Sequence, residues 1–152
     1  MENTNSLVVE VQMLIRRPVA EVFEAFVNPE ITTKFWFTKS SGRLEIGKIV
    51  RWDWEMYGVG DDVTVKEFEI NKRLVIQWHS DSTYVEWNFE PRGDGATFVK
   101  VSNWGFSGEN LVAQALDAKG GYSFVLSGLK AWLEHGIELN LVLDHFPDGC
   151  PV

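Results

Sequence analysis

Histidine and cysteine, which bind metals or act in catalysis, are few in this sequence, and their spacing matches no catalytic motif. The three histidines, His79, His135 and His145, show no metal-ligand spacing such as H-E-x-x-H. The single cysteine, Cys150, lies close to the C-terminus, an unusual place for a nucleophile. The sequence contains neither a G-x-S-x-G elbow nor a phosphate-binding glycine loop. We therefore expect no metal and no cofactor.

One carboxylate is a candidate acid or base. Glu67 and Glu69 alternate in register with Val63 and Val65, so a β-strand here can point a glutamate inward. A carboxylate in a dry pocket has a raised pKa and is suited to general acid–base catalysis. The alternative is an exposed glutamate on an edge strand. Glu67 is the one catalytic candidate that the sequence offers.

The tryptophans are the second group of candidate site residues. In "VRWDWEMYG" (50–58), Trp52, Trp54 and Met56 alternate with charged residues, so a strand would have one apolar and one charged face. The indoles can fill a solid core, or they can line a cavity. A cavity is favoured because indoles are large and hard to pack without leaving voids, and because each carries an N–H group that needs a hydrogen-bond partner. A third interpretation, an exposed sugar platform, requires both rings to face water.

The pattern along the chain predicts which elements position these residues. Residues 6–15 read as a strand, Pro18 begins a helix, and Asn28 caps a second short helix over residues 29–35. Short turns then separate further predicted strands, which favours antiparallel pairing. These strands are 43–46, 48–57, 61–70, 73–79, 83–90 and 96–106.

The last part of the chain predicts a long helix over residues 121–136. Its apolar stripe follows helical spacing and consists of Tyr122, Val125, Leu126, Leu129 and Leu133. Residues 109–118 are also helix-like, but Gly120 and Gly121 predict a kink or break between the two segments. The tail, 137–149, is either a helical extension or a docked segment.

This order of elements resembles the START-like, or helix-grip, superfamily, which includes polyketide cyclases and lipid-transfer proteins. More narrowly, it resembles bacterial single-domain homologues of the heat-shock-protein-90 ATPase activator. The resemblance is carried by "IRRPVAEVFEAFVNPEITTKFW" (15–36), "NKRLVIQW" (71–78), "GDGATFVKVSNWGF" (93–106) and "GGYSFVLSGLKAWLEH" (120–135).

The resemblance implies an α+β fold in which a curved antiparallel sheet of about seven strands wraps around the C-terminal helix. It also implies a cavity between sheet and helix, with residues 105–110 near its mouth. The residues expected to line this cavity are Trp36, Trp52, Trp54, Met56, Trp78, Trp87, Asn103, Trp104, Tyr122, Leu126 and Leu129.

Composition and charge restrict the partners. With 152 residues, 45% hydrophobic and 24% charged, the chain is expected to form one domain, residues 1–152. The net charge of −8 disfavours nucleic acid and anionic membranes, which are bound mainly by Lys and Arg. No apolar run approaches the roughly 18 residues of a membrane span, and no signal peptide opens the chain. With one cysteine, no internal disulfide forms, so we expect a cytoplasmic protein.

Three functions fit these expectations. The first is non-enzymatic binding of a small hydrophobic or aromatic molecule, such as a lipid. The second is an enzyme of the cyclase, dehydratase or hydrolase kind that uses Glu67 or an inward histidine as acid or base. The third, which the resemblance implies, is a co-chaperone of a heat-shock ATPase, although the chain has length only for the activator-like domain. Apolar tail residues also allow a homodimer; they are Leu139, Leu141, Leu143 and Phe146.

Overall fold

A single antiparallel sheet and one long helix dominate the structure, a computed structural model that describes residues 7–149. The strands are β1 (Val8–Ile15), β2 (Lys39–Ser40), β3 (Ile49–Trp54), β4 (Val59–Glu69), β5 (Arg73–Trp78), β6 (Tyr84–Pro91) and β7 (Thr97–Trp104). The helices are α1 (Val19–Val27), α2 (Pro29–Thr32), α3 (Leu111–His135) and α4 (Leu141–His145). The sheet order is β1-β7-β6-β5-β4-β3-β2. The predicted α+β helix-grip fold with seven strands is confirmed.

The two short helices form where capping chemistry places them. Pro18 precedes α1, and Pro29 occupies the first position of α2. The Oδ1 atom of Asn28 accepts a hydrogen bond from the backbone N–H of Glu30 at 3.0 Å, as expected for a helix cap. On α1, Phe23 and Phe26 are buried against the concave face of the sheet. The helix therefore closes one end of the core.

The long helix α3 is continuous from Leu111 to His135, so the predicted break at Gly120 and Gly121 is wrong. Two mid-helix glycines cost about 2 kcal/mol in helix propensity. Burial of the next turns offsets that cost, because Tyr122, Val125 and Leu126 pack into the core.

Among residues 7–149, no helix is both long enough and apolar enough to cross a membrane.

The predicted strand over residues 43–46 is wrong, because this segment is a loop held against α1. The guanidinium of Arg43 donates two hydrogen bonds to the carboxylate of Glu24, at 2.7 and 2.8 Å. Leu44 is buried, and its N–H donates to the carbonyl of Val27 at 3.2 Å. The chain joins the sheet earlier instead, as the two-residue strand β2 beside β3.

The Arg43–Glu24 pair makes stability depend on pH. Hydrogen bonds from Arg43 hold the pKa of Glu24 below its usual value. This contribution is therefore full above the unfolded-state pKa of about 4.3 and is lost as the pH falls through the lower folded-state pKa. Both side chains are more than one-third exposed, so the pair contributes below about 1 kcal/mol.

We expect Glu24→Gln to lower the free energy of unfolding by less than about 1 kcal/mol at neutral pH. The difference from the native chain should vanish at a pH below the folded-state pKa. Urea denaturation at both pH values measures it. Asp94→Asn removes an exposed carboxylate from the turn between β6 and β7, away from every helix end; it is the control and should have no effect. A Glu24→Gln loss that persists in acid would contradict the assignment.

Helix α3 also covers the outer edge of β1. The ammonium group of Lys119 donates to the carbonyl of Glu10 at 2.8 Å, and that of Lys130 donates to the carbonyl of Leu14 at 2.9 Å. Farther along, the backbone N–H of Arg16 donates to the carboxylate of Glu134 at 2.7 Å. The two lysine contacts satisfy backbone carbonyls of β1, and the third satisfies an N–H just beyond the strand.

Candidate functional site

The two tryptophans of β3 share one face of the strand but lie in different surroundings. Trp52 is 2% exposed and stacks on Phe37 with ring centroids 4.6 Å apart. Trp54 is the last residue of the strand and is only half-buried. Trp52 therefore belongs to the solid core, whereas Trp54 stands where the core ends and a groove begins.

The groove lies between the sheet and α3, and its inner part is a cavity of about 290 Å³ that we call the apolar compartment. Its walls are mostly aromatic and aliphatic side chains from the sheet, from α3 and from the chain beyond α3. They are Trp36, Trp54, Tyr57, Val59, Trp78, Ala118, Gly121, Tyr122, Phe124, Val125, Val142, His145 and Phe146. Such a lining is typical of sites for small apolar molecules.

The C-terminal segment 137–149 covers the apolar compartment, which shows that the tail is docked. Its helix, α4, is held by Tyr57, whose hydroxyl donates a hydrogen bond to the carbonyl of Val142. The ring of His145 lies edge-on to Phe124, with centroids 4.9 Å apart, and stacks on Phe146 at 4.1 Å. The tail thus supplies one wall of the compartment.

A second cavity of about 440 Å³, which we call the polar compartment, continues from the first. The two share five wall residues: Trp54, Val59, Trp78, Ala118 and Tyr122. The polar compartment adds hydrogen-bonding side chains, which are Asp61, Ser80, Asp81, Thr83, Asn103, Gln114 and Asp117. Among the described residues, no His, Cys, Asp or Glu side chains are grouped so that they can hold a metal ion.

Tyr122 stands at the junction of the two compartments. Its hydroxyl accepts a hydrogen bond from the indole N–H of Trp78 at 3.0 Å. Burial raises the pKa of this hydroxyl far above its usual value, and the negative charge of Asp81 raises it further. The phenol is therefore neutral at any physiological pH, so its proton can be donated in a hydrogen bond.

The structure places five of the expected residues on the groove and leaves four in the core. Trp36, Trp54, Trp78 and Tyr122 line the apolar compartment, and Asn103 lines the polar one. The core residues are Trp52, Trp87, Leu126 and Leu129, all 2% exposed or less. The indole N–H of Trp87 has no hydrogen-bond partner among residues 7–149.

Two further residues expected to line the cavity, Met56 and Trp104, lie elsewhere. Met56 does not extend the strand, because β3 ends at Trp54 and residues Glu55–Tyr57 form a 3-10 turn. Trp104 follows the inward Asn103 and so lies on the opposite face of β7, stacked on Tyr84 with centroids 5.6 Å apart. Neither side chain lines the groove.

Glu67 is also displaced from the groove, and a β-bulge is the reason. Pairing between β4 and β5 shifts between Val65 and Glu67, so that Phe68 faces the core and Glu67 faces solvent. The carboxylate of Glu67 pairs with the guanidinium of Arg73 on the outer face. It cannot act on a molecule in the groove.

Sequence reasoning missed most of the residues that the tail and the turns supply. Of the histidines, His145 lines the apolar compartment, whereas His79 bonds to Thr64 at 2.7 Å and His135 is exposed. Cys150 lies outside the described residues. The apolar spacing of the tail was the one sequence pattern that could have indicated its wall residues. From the loop 105–110, Phe106 lines the polar compartment.

An antiparallel sheet that curves around a long C-terminal helix and leaves a groove beside it defines the START-like, helix-grip class of proteins. Residues 16–134 match the model of one family in this class, described as Activator of Hsp90 ATPase homolog 1-like protein. The chain belongs to this family. No curated protein matches it.

Several solved structures are similar to the chain. Protein SSP2350 from Staphylococcus saprophyticus is 32% identical, with a TM-score of 0.78, over 88% of this chain and 96% of that one. The Aha1 dimer from Colwellia psychrerythraea is 20% identical, with a TM-score of 0.74, over 86% and 98%. DynU16, a putative protein in the dynemicin biosynthetic locus, is 24% identical, with a TM-score of 0.76, over 86% and 48%. The last two show the fold alone.

Proposed function

We propose that residues 1–152 act as one domain that binds a small hydrophobic or aromatic molecule in the groove between the sheet and α3, without converting it. The observation that carries the proposal is the apolar compartment, where indoles from three separate segments meet α3 and the docked tail. Burial of apolar ligand surface there contributes on the order of 25 cal/mol per Å². The neutral hydroxyl of Tyr122 supplies an orienting hydrogen bond.

The position of Glu67 favours binding over catalysis. The enzyme hypothesis named this carboxylate or an inward histidine as general acid or base, and the carboxylate lies on the outer face of the sheet, paired with Arg73. The phenol of Tyr122 holds its proton too tightly to act as a base. The apolar compartment thus offers apolar contact and one hydroxyl group, which are the features of a receptor or carrier.

Titration with 4-phenyl-1-butanol tests the proposal, since its phenyl group does not absorb where indoles are excited. We expect a saturable change in tryptophan fluorescence and a rise in Tm with ligand concentration. Trp104→Phe, outside the groove, should leave the change intact, whereas Trp54→Phe should reduce it. A flat titration with this alcohol, with dodecanoate and with a flavonoid, together with a constant Tm, would overturn the proposal.

A second candidate function, binding to a heat-shock ATPase, is favoured by the family match alone. Calorimetric titration with the middle domain of such an ATPase tests it, and an absence of heat counts against it.

A homodimer is also a proposal, supported by exposed apolar side chains of the tail segment. These are Ile137, Leu139 and Leu143, which are 52%, 46% and 44% exposed. Sedimentation velocity at several concentrations measures the oligomeric state.

A further inference from the structure

Charge in the polar compartment is of one sign. Asp61, Asp81 and Asp117 line it, and no Lys or Arg stands among the described residues that line either compartment. Within residues 7–149, none of these three carboxylates forms an ion pair. The negative charge on this side of the groove is therefore uncompensated by the described part of the protein.

Local hydrogen bonds hold two of these carboxylates in place without neutralising them. Asp61 accepts from the hydroxyl of Ser80 at 2.6 Å, and Asp81 accepts from the hydroxyl of Thr83 at 2.8 Å. Asp117 projects from α3 on the opposite wall. A group that enters between sheet and helix meets carboxylates from both sides.

A buried amide oxygen points to the same kind of group. Asn103 is 3% exposed and lines the polar compartment. Its amide nitrogen donates to the carbonyl of Tyr84 at 2.7 Å, but its Oδ1 atom accepts no hydrogen bond from residues 7–149. An acceptor on the wall of the polar compartment can take a hydrogen bond from a ligand that brings an N–H donor.

The junction between the compartments is also favourable for a cation. Trp54, Trp78 and Tyr122 form its walls, and the faces of aromatic rings attract ammonium groups. The charge of Asp81 reaches this point, since it helps to raise the pKa of the Tyr122 hydroxyl. A positive group placed here gains from both the rings and the carboxylate.

We infer that the ligand of the groove is an amphipathic amine, with an aromatic or short aliphatic body in the apolar compartment and an ammonium group in the polar compartment. This inference rests on the proposed function and narrows it to one class of ligand. The apolar compartment, at about 290 Å³, has room for a ring and a short chain, because about 150 Å³ is enough for benzene. The ammonium group then lies among Asp81, Asp117 and the Oδ1 atom of Asn103.

Three probes with one apolar body test the inference: 4-phenylbutylamine, 4-phenyl-1-butanol and 4-phenylbutyrate. By calorimetry at low salt, we expect the amine to bind about tenfold more tightly than the alcohol, and the carboxylate to bind most weakly. The amine's advantage should shrink as NaCl is added.

Variants that each remove one carboxylate charge test which residues cause the preference for the amine over the alcohol. Asp81→Asn and Asp117→Asn should each reduce the amine-to-alcohol affinity ratio about threefold, and Asn at position 81 can still accept the Thr83 hydrogen bonds. Asp94→Asn is the matched control, because Asp94 is exposed in the turn between β6 and β7 and lines neither compartment. It should leave the ratio unchanged.

The outcomes separate this inference from the proposed function. Equal affinities for the three probes, or tightest binding of the carboxylate, overturn the inference and leave the groove as an apolar site. An amine preference that falls as much in Asp94→Asn as in Asp117→Asn also overturns it, because net charge then explains the preference. If none of the probes binds, the inference and the proposed function both fail.

Discussion

Replacing Gly121 by leucine is expected to weaken the binding of 4-phenyl-1-butanol at least about tenfold while stabilising the free protein. Gly121 lines the apolar compartment, and a Cβ atom there would meet no other atom within 4 Å. A leucine therefore fits without strain and extends into the space that a ligand needs. Because leucine favours the helix over glycine by about 0.8 kcal/mol, the free energy of unfolding should rise.

The neighbouring glycine gives a matched control. Gly120 lies on the same turn of α3, a Cβ atom there would also meet nothing within 4 Å, and the residue lines neither compartment. Gly120→Leu should raise stability to the same extent and leave ligand affinity unchanged. Calorimetry and urea denaturation on both variants separate the two effects. Equal affinities for Gly121→Leu and the native chain would mean that the ligand does not use the apolar compartment.

Trp52→Ala is expected to lower the free energy of unfolding by about 3–5 kcal/mol, the largest loss predicted for a single substitution in this chain. The indole of Trp52 is 2% exposed, stacks on Phe37 and lies 5.0 Å from the ring of Trp36, so its removal leaves a cavity in the core. Urea denaturation followed by circular dichroism measures the loss without relying on the tryptophan signal.

Trp54→Ala should cost less than about 2 kcal/mol, because its half-buried ring borders the groove rather than the packed core. The same variant should bind 4-phenyl-1-butanol more weakly than the native chain. Equal losses of unfolding free energy for Trp52→Ala and Trp54→Ala would contradict the assignment of Trp52 to the core and of Trp54 to the groove.

The order and type of the elements were predictable because local signals agreed with one another. Pro18 and Asn28 mark the starts of two helices, and the apolar stripe from Tyr122 to Leu129 marks the helix face that the sheet encloses. The groove walls Trp54, Trp78 and Tyr122 were likewise predictable, because alternation or helical spacing places them inward.

The rest of the site depends on structural features that the periodicity of the sequence does not reveal. Whether an inward indole fills the core or borders the groove is decided by how close it lies to the end of its strand, as Trp52 and Trp54 illustrate. A single extra residue in β4 moves Glu67 outward and Phe68 inward. The docking of α4 depends on long-range contacts that no local pattern encodes, among them the hydrogen bond from Tyr57 to the carbonyl of Val142 and the ring contact of His145 with Phe124.

The lysines that lie along β1 limit how this protein can associate with others. Recognition by strand addition, and fibril growth by the same route, require a row of free carbonyl and amide groups on an accessible edge. Lys119 and Lys130 occupy that position on one side of the sheet, and the opposite border is β2, only two residues long. A peptide or a second copy must therefore recognise side chains on the surface rather than extend the backbone ladder.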